Sequence, residues 1–218
     1  MPAEPGRDCP LCPRLVAFRG ENRARYPDFR NAPVPSFGDP AARLLIVGLA
    51  PGLQGANRTG RPFTGDWAGD LLYETLLAFG FARGVYDERP DDGLELVDCL
   101  VTNAVRCVPP QNRPTPAEMA TCRPFLAATI AGMPRLRAIL VLGRVAHDSA
   151  LRALALRPSV APFAHGAATP LAARGGPALT LHASYHCSRY NTNTGVLTPA
   201  MFQAVFRALR AELDAARP

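Results

Sequence analysis

The chain has 218 residues, 48% of them hydrophobic and only 7% aromatic. That suffices for one domain with a core of Leu, Val and Ala, and it excludes a chain that is disordered throughout. All 24 basic residues are arginine against 18 acidic ones, a net charge of +6, so no lysine amine is present to form a Schiff base with a carbonyl carbon.

In chain order, residues 1–40 carry many prolines and read as irregular. The opening MPAEPGRDCPLCPRL has no apolar h-region, and no apolar run approaches bilayer length. A cytosolic (cytoplasmic) protein with no membrane segment is expected. Residues 43–49 (RLLIVGL) predict a buried strand. A Gly/Pro-rich loop follows to Gly65, and Asp66 stands as N-cap of an amphipathic helix over 67–79. A second strand is expected over 96–103. Thr115, Pro116 and Glu118 form a capping-box start to a helix ending near 132, with Pro124 expected to kink or shorten it. A third strand over 138–142 leads into a helix over 144–156. Residues 158–177 read as loop, 178–181 as a fourth short strand, and 198–214 as the last helix.

This order of elements predicts an α/β protein, a three-layer α/β/α sandwich around a small, mainly parallel four-stranded sheet. A single domain over 1–218 is expected. Charge is uneven along it. Between residues 104 and 174, nine arginines face Glu118 and Asp148, a balance of +7, whereas 83–103 holds two arginines and six acids. A basic half suits a polyanion such as DNA, and scattered surface arginines suit it equally well.

The six cysteines of a cytosolic chain point to metal chemistry before disulfides. Cys9 and Cys12 form a C-x2-C pair ahead of Pro13, Cys107 lies in RCVPP, and Cys122 follows. Four thiolates suit zinc or an iron–sulfur cluster, and the spacing does not choose between them. The staple would hold 1–40 to the body. Cys99, inside LVDCLV, reads as core.

In a parallel sheet, ligands bind beyond the carboxyl ends of the strands. The sequences there are GLAPG (48–52), NRTGRPFTGD (57–66), TNAVRCVPP (102–110) and HCSRYNTNTG (186–195). Together they resemble the uracil-DNA glycosylase superfamily and, within it, family 5, the type B enzymes with an iron–sulfur cluster. The resemblance covers nearly the whole chain.

It implies hydrolysis of the N-glycosidic bond of uracil and other deaminated or damaged bases in DNA. It also implies a 4Fe–4S cluster on Cys9, Cys12, Cys107 and Cys122. Phe63 is the expected stacking partner of the flipped base, and Asn103 the amide that reads its edge. Gly48 and Gln54 complete the base site, with residue 54 leaving damage preference open. His186 is the donor to the departing base. No carboxylate precedes Asp66 in the 48–66 loop, so Asp66 is the candidate for positioning water, with Asp70 and Asn57 in reserve; an N-cap role alone is the competing reading. Arg58, Arg61, Ser188, Arg189, Tyr190 and Asn191 are expected on DNA, double- or single-stranded, with Arg189 on phosphate or Tyr190 as a wedge. A monomer is expected. Two other readings remain: a uracil-restricted family 4-like enzyme, and a cluster-bearing DNA-binding module without catalysis.

Overall fold

The computed structural model describes residues 4–171 and 178–215. Its elements are α1 Pro13–Arg25, β1 Phe37–Gly38, β2 Leu44–Gly48, α2 Ala56–Thr59, α3 Trp67–Ala78, β3 Ala82–Arg83, β4 Glu95–Leu96, β5 Cys99–Asn103, α4 Pro116–Ala131, β6 Ala138–Leu142, α5 Arg144–Ala153, β7 Ala168–Leu171, β8 Leu179–Ser184, α6 Arg189–Asn193 and α7 Pro199–Ala215.

Strands β2, β5 and β6 are buried along their whole length, as a parallel sheet covered on both faces demands. Their side chains alternate between two cores. Leu44, Ile46, Val101 and Leu140 pack with Leu72 and Leu76 of α3 and Phe202 and Phe206 of α7. Leu45, Val47, Leu100 and Ile139 pack with Leu126 of α4 and Ala146 and Leu151 of α5 on the other face. This is the expected α/β/α sandwich, and each enclosed Leu contributes roughly 1.5–3 kcal/mol.

The sheet has six strands, not four, in the order β1-β5-β2-β6-β8-β7. The central four are parallel, and the added strands β1 and β7 are antiparallel edges. Neither shows a run long enough for periodicity to register: β1 spans two residues, and β7 is ATPL, inside the stretch expected as loop. That stretch also holds a 3-10 turn at Pro158–Val160, and its residues 172–177 lie outside the described residues. The strand expected over 178–181 runs further, as β8.

Helix α4 ends at Ala131, close to the expected end near 132, and Pro124 does not shorten it, although proline removes one N–H from the ladder. Its capping box closes the start, and Leu126 and Thr129 beyond the proline are buried. The first 40 residues are not all irregular, because α1 forms with Pro13 in its first turn. Leu15 on α1 packs against Val105 and Cys122.

The acidic stretch 83–103 is largely matched within the molecule. Asp92 pairs with Arg61, Asp98 with Arg43, and Glu95 with Arg83. The basic stretch is not a single outer face either, since Arg106 is enclosed and bonded to Glu4, Ser36 and Thr129. Among the described residues, no helix is long and apolar enough to cross a membrane.

The register sets the site. Gly48 pairs with Asn103, and Leu142 with Ser184, so the strands end together and release their loops at one edge.

Candidate active site

A cleft of about 300 Å³ opens at that edge, lined among others by Pro51, Gly52, Phe63, Asp66, Asn103, Asn112, His186 and Ser188. Four separate stretches of sequence therefore contribute to one cavity.

Gly48, the last residue of β2, lies under this floor. A Cβ there would fall 2.5 Å from Phe63 Cζ and from Asn103 Oδ1. Only glycine lets the ring and the amide close over the strand. Phe63 has φ 52°, a left-handed conformation rare for an aromatic residue. Its neighbours fix it there. Tyr73 donates to the Pro62 carbonyl at 2.6 Å, and Tyr86 donates to the Phe63 carbonyl at 3.3 Å.

Arg61 belongs to the same support and not to a DNA surface. It is 4% exposed, its two terminal nitrogens reach the two Asp92 oxygens at 2.8 and 2.7 Å, and its Nε donates to Thr64 Oγ1. The rings of Phe37, Tyr73 and Tyr86 surround its guanidinium. Burial alone would raise the Asp92 pKa, but hydrogen bonds from Arg61 and two backbone N–H groups hold it well below the usual range. Arg61 thus spends its charge internally, whereas Arg58 is exposed, with Nε on the Gln54 carbonyl.

Asp66 does two things. Its Oδ1 accepts from the Gly69 N–H at 3.2 Å, the N-cap of α3. Its Oδ2 lies over Gly52 and Gly55, so close that a Cβ on Gly55 would collide with it. One oxygen caps the helix and the other faces the cleft floor. Burial raises its pKa, against the N–H groups of Gly69 and Ala68 that lower it. The reserves fall away. Asn57 is buried with its amide on Asn31, and Asp70 is exposed and outside the cleft lining.

His186 lies across from Phe63, ring centroids 6.1 Å apart and planes 30° from parallel. Burial pushes its pKa down to about 4, so the imidazole is neutral at pH 7. The other histidines are occupied elsewhere: His182 on Glu212, His147 beside Asp148, and His165 accepting from the Tyr185 N–H.

The 188–191 segment forms α6. Ser188 caps it and lines the cleft, Tyr190 is 74% exposed, and Arg189 lies over Trp67. Asn191 does not offer its amide outward as expected, because Nδ2 donates to the His186 carbonyl at 2.8 Å. Gln54 is exposed and is not among the residues that line the cleft. Sequence reasoning missed Asn112. It follows Gln111 in PPQN, both with positive φ, and the turn swings Asn112 into the lining. An asparagine after two prolines was the available signal.

Cys9, Cys12, Cys107 and Cys122 line one small cavity between α1, the loop after β5, and α4. Among the described residues, no three His, Cys, Asp or Glu stand close enough to share a single metal ion. Burial first, then mutual repulsion with Cys122, pushes the Cys107 thiol up to about 12, and Cys12 and Cys122 are also raised. Arg19 reaches Cys107 Sγ at 3.9 Å, and the Arg106 N–H donates to Cys122 Sγ at 3.4 Å. The four thiols share this cavity with one guanidinium, that of Arg19, and one backbone N–H, that of Arg106, and they are the residues that could hold a thiolate-bound metal group. Cys99 is core, as expected.

Comparison with known proteins agrees. The family model described as Uracil DNA glycosylase superfamily matches residues 35–210. A Type-5 uracil-DNA glycosylase of Thermus thermophilus is 48% identical over 202 residues, covering 90% of each chain. One of Pyrobaculum aerophilum is 39% identical over 212 residues, 95% of this chain and 89% of the relative. A Type-4 uracil-DNA glycosylase of the same organism is 35% identical but over only 59% of this chain. Family match, fold and the convergence of Phe63, Asp66, Asn103 and His186 coincide: the chain belongs to the uracil-DNA glycosylase superfamily.

Proposed function

We propose that this chain is a monofunctional DNA glycosylase that hydrolyses the bond between deoxyribose and uracil, and between deoxyribose and other deaminated bases. The observation that carries the reading is the single cleft holding an aromatic face, an amide, a neutral imidazole and a carboxylate.

A base inside a duplex is out of reach, so the nucleotide is flipped at a cost of a few kcal/mol. Phe63 stacks on the flipped base, and the Asn103 amide offers donor and acceptor to its edge. As the C1′–N bond breaks, its electron pair leaves with the base. Neutral His186 donates a hydrogen bond to the base oxygen where that charge collects; such donors are typically worth ~10²–10³ in rate. The sugar becomes oxocarbenium-like, and water adds at C1′. Asp66 Oδ2, the oxygen over Gly52 and Gly55, orients that water and stabilises the cationic sugar. The leaving base accounts for one proton and C1′ takes the hydroxyl, so the product is an intact abasic site.

DNA, double- or single-stranded, is the partner in this reading. Arg58 and Arg189 meet phosphates, and exposed Tyr190 enters the gap left by the flipped nucleotide.

Cys9, Cys12, Cys107 and Cys122 are the residues that would hold a 4Fe–4S cluster. When bound, it supplies a covalent staple between α1, the 104–110 loop and α4. The cavity these thiols share and the Arg19 guanidinium beside Cys107 support it.

The decisive experiment is base release from a duplex containing one uracil, extended to hypoxanthine and ethenocytosine. Uracil should be released with the strand left intact, and borohydride should trap no adduct, since the chain has no lysine. Binding without release would leave the non-catalytic module as the reading. Release of uracil alone would confine the activity to that base.

A further inference from the structure

Helix α6 has no buried residue, yet it follows directly on His186. Its own side chains are not held by burial, although Cys187 before it and Leu197 after it belong to the core. The Asn191 amide ties it to the His186 carbonyl at 2.8 Å, so helix and imidazole backbone move together. What ties that unit to the segment carrying Asp66 is a set of direct side-chain contacts.

Trp67 is the chain's single tryptophan and is 48% exposed, directly after Asp66. Its indole N–H donates to Thr192 Oγ1 on α6 at 2.9 Å. The Arg189 guanidinium lies over its ring at 5.5 Å. One residue further, the Ala68 carbonyl accepts the Cys187 thiol at 3.3 Å. Segment 66–68 and segment 186–192 are therefore joined at three points. The first carries the carboxylate and the second carries the imidazole.

We propose that Trp67 is a positioning residue, a clamp that fixes His186 relative to Asp66 across the cleft. This rests on the catalytic reading of those two residues. The indole suits the task because it combines a flat face for a guanidinium with one directional N–H. An aliphatic residue would supply neither. Reacting groups displaced by about 1 Å can lose on the order of 10²-fold in rate, so a clamp of this kind acts on the chemical step rather than on affinity.

The test uses Trp67→Phe, which keeps a ring under Arg189 but loses the N–H, Thr192→Val, which removes the acceptor, and the double variant. Single-turnover uracil release and duplex affinity are measured on each, with melting temperature alongside. Each single variant should slow release by about 10-fold or more with affinity changed less than about threefold, and the double variant should be no slower than either single one. A merely structural role would lower the melting temperature and leave the single-turnover rate of the folded fraction alone, which would overturn the proposal. Affinity falling in step with rate would also overturn it, making Trp67 a DNA contact instead. Should Trp67→Phe fail to fold, Thr192→Val alone carries the test, because Thr192 sits on the unburied helix. A wild-type protein that releases no uracil would sink the catalytic reading itself; active wild type with unchanged variants would sink only the clamp.

Discussion

Gly48 and Asn103 are register partners at the ends of neighbouring parallel strands, and a methyl group on Gly48 would fall 2.5 Å from the Asn103 amide oxygen. The same methyl would meet the Phe63 ring. Replacing Gly48 by Ala should therefore displace both side chains proposed to contact the base while leaving the strand itself intact. The expectation is loss of uracil release by about 100-fold or more, since misplacement of this order is costly to rate. Circular dichroism should be unchanged, and full activity in Gly48→Ala would show that the ring and amide do not depend on this approach.

On the proposed reading the two oxygens of Asp66 have separable tasks, and substitution can separate them. Asn caps a helix about as well as Asp, so Asp66→Asn should keep the melting temperature yet lose most activity. Asp66→Ala should lose activity and also about 1 kcal/mol of stability. Burial raises the Asp66 pKa, so the acid limb of the activity profile should be shifted upward from that of an ordinary aspartate and vanish in Asp66→Asn. Full activity in Asp66→Asn would leave the cap as its only role.

Much of this was legible in the sequence for a definite reason. Runs such as AILVL are buried on both faces and so announce themselves as parallel strands. Asp66, Thr115 and Glu118 cap helices by local rules, and local rules are readable. Strand β1 was not legible, because two residues on a sheet edge carry no period. Arg61 was misread for a different reason. In a loop with Arg58, charge alone suggests phosphate, and nothing near it in sequence reveals Asp92. Asn191 likewise turned inward, onto the His186 carbonyl five residues back. The composition of a loop shows which chemistry is present, while the direction each side chain takes is set by partners distant in sequence.

The two arginines of the NRTGRPF segment should accordingly behave differently. Arg58→Gln should weaken DNA binding uniformly across sequences and reduce the salt slope of affinity by about one. Arg61→Gln should leave that slope unchanged in its folded fraction. It should instead destabilise the protein by about 3–5 kcal/mol, because Asp92 is left enclosed without its cation. Salt-dependent binding and urea unfolding of the two variants measure this, and a lowered slope in Arg61→Gln would return it to the DNA surface.

Arg19 offers a test of the cysteine site that does not depend on catalysis. It is buried, and its guanidinium reaches Cys107 Sγ and the Cys9 carbonyl. A thiolate-bound cluster gives this cation an anionic neighbour, and neutral thiols do not. Cys122→Ser and Arg19→Gln, purified without oxygen, should both lose iron and brown colour relative to wild type, whereas Cys99→Ser should keep both. Any cluster that survives in Arg19→Gln should have a more negative reduction potential, since the reduced form carries more negative charge. Iron-free wild type containing zinc would exclude the cluster.

His186 makes stability depend on pH in a window that can be stated. Burial holds its pKa near 4, below the ordinary value of 6.5. Between those values the unfolded chain binds a proton that the folded chain does not, so this group favours unfolding as pH falls. Its contribution is fully present above pH 6.5 and is lost progressively as pH drops toward 4. Unfolding midpoints in urea should fall across that window, and His186→Asn should flatten the part due to this residue. The catalytic consequence runs the other way from a general acid's. A neutral imidazole donates one hydrogen bond without giving up a proton, so activity should not require protonation near pH 6. Carbon-13 or nitrogen-15 resonances of His186 should show the neutral ring at pH 6, and an imidazolium there would replace hydrogen-bond donation by full proton transfer to the departing base.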